Sequence, residues 1–240
     1  RAVSMAIDRE AEGKVIFNGE TQQVVFVPAY MGKWSLQVKD LPADIQQYYK
    51  YNPAEAKKLL EAAGQTNLEL KLAYLVNSPG SAGPELTIKK AETLANMLGG
   101  AGIKVNLITQ DYNKDFIDAG KGSRQGYFPK DVVILAGVPS FTEADEFLWG
   151  NFHSKSTSPP EKLSDPAVDA MLDKERTIVN EDERLKAVLD IQRYLAEKMF
   201  VVPTPDTYQW AVLQPRVQNY QYSSTLGKHT ETYAKVWLKV

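Results

Sequence analysis

The sequence holds no cysteine. That excludes disulfides, thiolate metal sites, iron–sulfur clusters and cysteine nucleophiles together. Histidine occurs only at His153 and His229, at a spacing that fits no zinc-ligand pattern, so neither a metal nor a cofactor is expected. An excess of either charge is also missing. Lys+Arg number 28 and Asp+Glu 30, for a net charge of −2, and no block of five or six like charges occurs. A nucleic-acid binder needs a basic face to neutralise phosphates, so nucleic acid is not expected as a partner. No apolar run reaches the roughly 18 residues that a membrane-spanning helix requires. A signal-peptide pattern is absent, and Arg1-Ala2-Val3-Ser4-Met5-Ala6-Ile7 already reads as helix, as in a chain cut from something longer. What is present is ordinary globular composition, 43% hydrophobic over 240 residues, enough for one or two cores.

The patterning predicts an alternation of helices and strands. The opening helix is expected to run to about Glu12, with a strand-like stretch at residues 24–28. Asn52-Pro53-Ala54-Glu55 reads as a helix start, with Asn52 as cap, Pro53 at the first helical position and Glu55 closing a capping box. Ala56, Leu59, Leu60 and Ala63 then fall on one face, and Gly64 ends the helix. Leu68, Leu70 and Leu72 alternate as a half-buried strand. A helix carrying Ala91, Leu94, Ala95 and Leu98 follows, then a strand with Ile103, Val105 and Leu107. A short helix is expected around residues 114–119. Residues 132–136 are apolar on both faces, as in a central strand. The order β-α-β-α-β predicts an α/β fold with a partly parallel sheet and right-handed crossovers. Further helices start at Ser140-Phe141-Thr142-Glu143, Asp165-Pro166 and Asn180, the last with Val188, Ile191, Leu195 and Met199 inward. Strand signals return at residues 208–213 and at Val236, Leu238 and Val240.

Catalytic signatures are sparse. Glu143, Asp145 and Glu146 could serve as the paired carboxylates of a glycosidase. They also occupy the first turn of a capped helix, where negative charge is stabilised by the dipole. No Gly-x-Ser-x-Gly, dinucleotide fingerprint or phosphate loop is present. Aromatic residues near loops and element ends, Trp34, Phe141, Trp149, Tyr208, Trp210 and Tyr220, suit a ligand cleft as well as they suit a core. Trp34 lies where little regular structure is predicted.

Four motifs in order resemble one family. The segment from Arg1 to Arg9 is similar to "RRAISLAIDR". Tyr51-Asn52-Pro53-Ala54-Glu55-Ala56-Lys57-Lys58-Leu59-Leu60-Glu61-Ala62-Ala63-Gly64 is similar to "Y-(D/N)-P-E-K-A-K-x-L-L-x-E-A-G". Asp165-Pro166-x-Val168-Asp169-x-Met171-Leu172 resembles "D-P-x-x-D-x-L-L", and residues 201–220 resemble a closing "P-L-Y…V-K-G-Y". The family is the oligopeptide/dipeptide-type (family 5) extracytoplasmic solute-binding proteins of ABC importers. The resemblance covers essentially the whole chain and implies the carboxy-terminal half of a two-lobed periplasmic-binding-protein-like fold, a mixed sheet with flanking helices. Residues 1–213 would form the ligand-binding second lobe, and residues 214–240 a tail returning to an amino-terminal lobe that is absent. It further implies a periplasmic or extracytoplasmic location, with a possible lipid anchor on the missing part.

In the family, a stretch like "G-W-x-x-D-Y-x-D-P-x-x-F-L" leads from a strand into a helix, and its Asp pairs with the amino terminus of a bound peptide. Counting back from Phe147-Leu148, Gly137 falls at the Trp position and Ser140 at the Asp position, so both family residues are replaced. Losing that charge-assisted bond removes about 1.5–3 kcal/mol for a free amine. A peptide is thus the first expectation for the solute and an oligosaccharide the second. The expected ligand residues are Trp34, Gly137, Ser140 and Phe141, with Trp149 and Tyr30 behind them. The expected partners are the solute, a membrane permease and the chain's own first lobe, without catalysis. Two other readings stand beside this one: a glycan- or peptide-directed hydrolase using Glu143, Asp145 or Asp131, and a protein-interaction module.

Overall fold

The computed structural model describes residues 1–78, 83–117, 132–135, 143–156, 163–207, 212–221 and 233–239. The first helix is not continuous. It is split into α1 (Ala2–Met5) and α2 (Arg9–Phe17), because Asp8 leaves the helical conformation and its side chain accepts the Ala11 N–H at 2.9 Å. Asn18, in the left-handed conformation, ends α2. Gly13 of α2 faces β1 (Thr21–Gln22) closely: a Cβ there would lie 2.6 Å from Thr21 Oγ1. The expected strand at 24–28 is a buried extended segment held by one antiparallel bridge, Val24 to Gln37.

Next come the short α3 (Ala43–Gln46) and α4 (Pro53–Ala62). Asn52 Oδ1 accepts the Glu55 N–H as expected, but the reverse half of the capping box is not made: the Asn52 N–H bonds the Met5 carbonyl, and Glu55 pairs with Lys58. Beyond α4, Gly64 is left-handed at φ +70°. The strand β2 (Glu69–Val76) pairs in parallel with β3 (Lys104–Asp111) and with β4 (Val132–Leu135), and α5 (Pro84–Gly100) crosses between β2 and β3. The order is β3-β2-β4, so β2 is central. β4, expected at the centre, lies at the edge among the described strands, with Val133 46% exposed. Residues 112–117 form a π-helical turn in place of the expected α-helix start.

Three helices complete the described body: α6 (Ala144–Phe152), α7 (Pro166–Glu175) and α8 (Glu181–Lys198). Asp165 caps α7 and Asn180 caps α8, each accepting two backbone N–H groups. The N-cap of α6 is Glu143, whose side chain makes no capping bond, and Ser140, expected to open this helix, lies outside the described residues. β5 (Asp206–Thr207) pairs antiparallel with β1, and β6 (Val217–Gln218) with β7 (Trp237–Leu238). The second of these ladders pairs Leu238 within the tail itself. Residues 208–211 and Val240 of the expected strands lie outside the described residues.

Two apolar cores result. One packs α6, α7 and α8 with residues 25–49, around Leu148, Leu172 and Leu195; the other packs α1, α4 and α5 with β2, around Ile7, Leu72 and Leu98. Tyr48 and Val202 contact both. The fold class is α/β; the three-stranded sheet is parallel, and antiparallel pairing among the described residues occurs in the two short ladders and the Val24–Gln37 bridge.

Candidate functional site

The expected ligand residues divide by where they fall. Trp34, Tyr30 and Trp149 are described. Gly137, Ser140 and Phe141 lie outside the described residues, as do Asp131, Trp210 and His229.

Tyr30 and Trp34 sit on a 3₁₀ excursion, Ala29–Trp34, between two stems. The stems are tied by Val25 N–H to the Leu36 carbonyl at 2.9 Å and by the Ser35 hydroxyl to the Val27 carbonyl at 2.6 Å. At the tip, Gly32 takes φ +59°, ψ −121°, outside the regions open to a residue with a Cβ. That reversal returns Trp34 toward α8, where Gln192 receives it. Fully buried, Gln192 accepts the Leu36 N–H at 3.1 Å and the Val27 N–H at 3.4 Å, and donates to the Trp34 carbonyl at 2.8 Å. Gln192 is a polar residue within the stripe Val188, Ile191, Leu195. That break in an apolar stripe is the sequence signal that could have identified it.

Both tryptophans border one charge cluster. Arg176 makes a bidentate pair with Asp145, both contacts 2.9 Å, and its guanidinium lies 4.3 Å from the Trp149 ring centroid. Arg184 reaches Glu143 with two nitrogens, at 2.8 and 3.2 Å, and Glu175 with a third at 2.6 Å. Its guanidinium lies 5.6 Å from the Trp34 centroid, and Lys33, paired with Glu181, lies at the same distance. Glu175 is 1% exposed; burial raises its pKa, and Asp145 adds to the rise while Arg184 opposes it. Glu143 is shifted down, chiefly by its bond to Arg184. Of the acids singled out for a hydrolase, Glu143 and Asp145 each hold an arginine at the start of α6.

Trp149 is the more enclosed of the two. It stacks on His153 at 4.7 Å between centroids, and its indole N–H is buried without a hydrogen-bond partner among the described residues. His153 is buried at the end of α6, with Nε2 3.1 Å from Asp173 and Nδ1 accepting the Lys155 N–H at 2.9 Å. Trp34 is half-buried against the same core. Tyr30 is half-buried on the excursion.

A second buried group lies beside the other core and was missed in the sequence. Arg9 donates to the Ser4 carbonyl and hydroxyl, to the Tyr49 carbonyl and to the Pro203 carbonyl, at 2.7–3.1 Å. Nearby, fully buried Glu12 faces Lys90 Nζ at 3.4 Å, and burial raises its pKa. The similarity of residues 1–9 to the family segment thus coincides with a structural clasp.

Comparison with known proteins adds the context. The family model described as bacterial extracellular solute-binding proteins, family 5 Middle, matches residues 1–159. Heme-binding protein A of Haemophilus influenzae is 22% identical over 226 residues, 93% of this chain and 39% of its own length. The chain therefore spans about two fifths of that curated relative. Among solved structures, HbpA2 from Haemophilus parasuis superposes with a TM-score of 0.71 at 20% identity, over 100% of this chain and 44% of that one. DppA from Helicobacter pylori, in complex with the peptide STSA, gives 0.71 at 20% identity, over 99% and 43%. Haemophilus influenzae OppA, in complex with RPPGFSPFR, gives 0.70 at 25% identity, over 92% and 41%.

Proposed function

Because the chain belongs to family 5 of the bacterial extracellular solute-binding proteins, we propose that it forms part of the capture component of an ABC importer. It works outside the cytoplasm, closes over a small solute together with a first lobe, and presents that solute to a membrane permease. The observation that carries the reading is the family match over residues 1–159, with the whole chain overlaying 44% of a relative's length.

In this reading residues 1–213 are the solute-binding lobe and residues 214–240 pack on the first lobe. Apolar surface on the tail supports the second part: Trp237 and Leu238 are 56% and 54% exposed. Trp34 faces the solute from its pinned excursion. Trp149, stacked on His153 and under Arg176, supports it from behind. The solute is a peptide, as in the DppA and OppA complexes. That favours peptide over the oligosaccharide left open by Ser140. Heme, named for one relative, gains no support from His153, whose two ring nitrogens are both engaged.

The test is mass spectrometry of the solute that co-purifies with the two-lobed protein, followed by thermal unfolding with an equimolar pool of tri- to nonapeptides. A retained peptide and a raised melting temperature are expected, since a ligand stabilises the state it binds. An unchanged melting temperature together with turnover of a peptide or glycan panel would replace this reading with the hydrolase.

A further inference from the structure

We propose that Arg184 is the positioning residue for Trp34, tying the indole to the first turn of α6 through one guanidinium. The proposal rests on the reading above only in taking Trp34 to face the solute.

Backbone and ring of Trp34 are fixed by different residues of α8. Gln192 holds the carbonyl at 2.8 Å and both stems of the excursion, so the backbone has little freedom. The ring is half-buried against the core, and Arg184 lies 5.6 Å from its centroid. Arg184 is itself held on two sides. Nη1 and Nη2 meet Glu143 at the start of α6, and Nε meets Glu175 at the end of α7. A planar cation fixed by three nitrogens presents its face in one direction, which an ammonium cannot do. Glu175 is a stiff anchor because it is buried. The indole's orientation and the position of α6 are thus set by the same group. Lys33 also approaches the ring, but from an exposed pair with Glu181, and gives no comparable constraint.

The experiment uses 5-fluorotryptophan-labelled protein, with the Trp34 fluorine resonance assigned through Trp34→Phe. Arg184→Lys keeps the charge and loses the fork. The control is Ile103→Val, buried in the other core. Arg184→Lys should shift or broaden the Trp34 signal and leave Trp237 unchanged, while Ile103→Val should move neither. Hydrogen exchange should speed up together in residues 29–35 and 144–148 in Arg184→Lys alone. With the two-lobed protein, Arg184→Lys should raise the half-saturating concentration of the peptide pool about five- to tenfold, the span of a cation–π contact. A Trp34 signal unmoved by Arg184→Lys, exchange that speeds up in only one segment, or equal effects from Ile103→Val would overturn the proposal. If Trp34→Phe leaves peptide binding unchanged, the solute-facing assignment of Trp34 fails, while the fluorine and exchange results still decide the positioning role.

Discussion

At the residue scale, the buried polar side chains explain most of what the sequence left open. Arg9 fastens three stretches far apart in the chain, at Ser4, Tyr49 and Pro203, and burial pulls its guanidinium down to about 10, still charged at neutral pH. Arg9→Met should cost about 3 kcal/mol or more, because several buried carbonyls lose their donor at once; urea unfolding measures it. Glu175 is the pH-sensitive member of the charge cluster. Its raised pKa means that the folded protein holds the proton more tightly than the unfolded chain. Its contribution is complete below the ordinary carboxylate value and is lost as pH rises through the raised one. Relative to Glu175→Gln, the wild type should therefore gain stability as pH falls toward the ordinary carboxylate value, and identical pH slopes for the two proteins would refute this. Neither Arg9 nor Glu175 announces itself in sequence, since a charged residue on a helix is ordinarily a solvated one.

At the scale of elements, what could be read was what local chemistry decides. Asn52, Asp165 and Asn180 cap the helices expected of them, because a cap depends on residues two or three positions away. Asn180→Ala should lower stability by about 1 kcal/mol, and Asn180→Asp should leave it nearly unchanged; thermal unfolding of the two variants checks the difference. The failures are tertiary. The break between α1 and α2 was hidden because Met5, Ala6 and Ile7 are all buried, so the apolar pattern runs on through the break. β4 looked central because Val132, Val133, Ile134 and Leu135 are apolar on both faces, yet β2 takes the middle, with Leu72 and Ala73 buried on opposite sides. Strand order depends on which crossovers form, and side-chain alternation does not encode it.

At the scale of the whole molecule, the two cores meet through few residues, chiefly Tyr48 and Val202. The tail adds apolar surface at Tyr233, Trp237 and Leu238. Such a surface is expected to drive association of the isolated 240-residue chain. Sedimentation should show concentration-dependent dimers that Trp237→Lys with Leu238→Glu abolishes; a monomer at every concentration for the unchanged chain would count against it. The family could be read from four motifs in order, and the fold class from the alternation of elements. The candidate site was legible only in part. Trp34 stood out because nothing regular was predicted around it. Its supports, Gln192 and Arg184, come from a helix some 150 residues later, and no local pattern connects them.

The Arg9 clasp also has a consequence for biosynthesis. Its contact with the Pro203 carbonyl cannot form until residue 203 has been made. At about 5–20 residues per second, Arg9 waits roughly 10–40 s of synthesis for that partner. A nascent chain arrested before residue 203 emerges should be cut readily by protease within residues 1–50, and one released beyond it should resist.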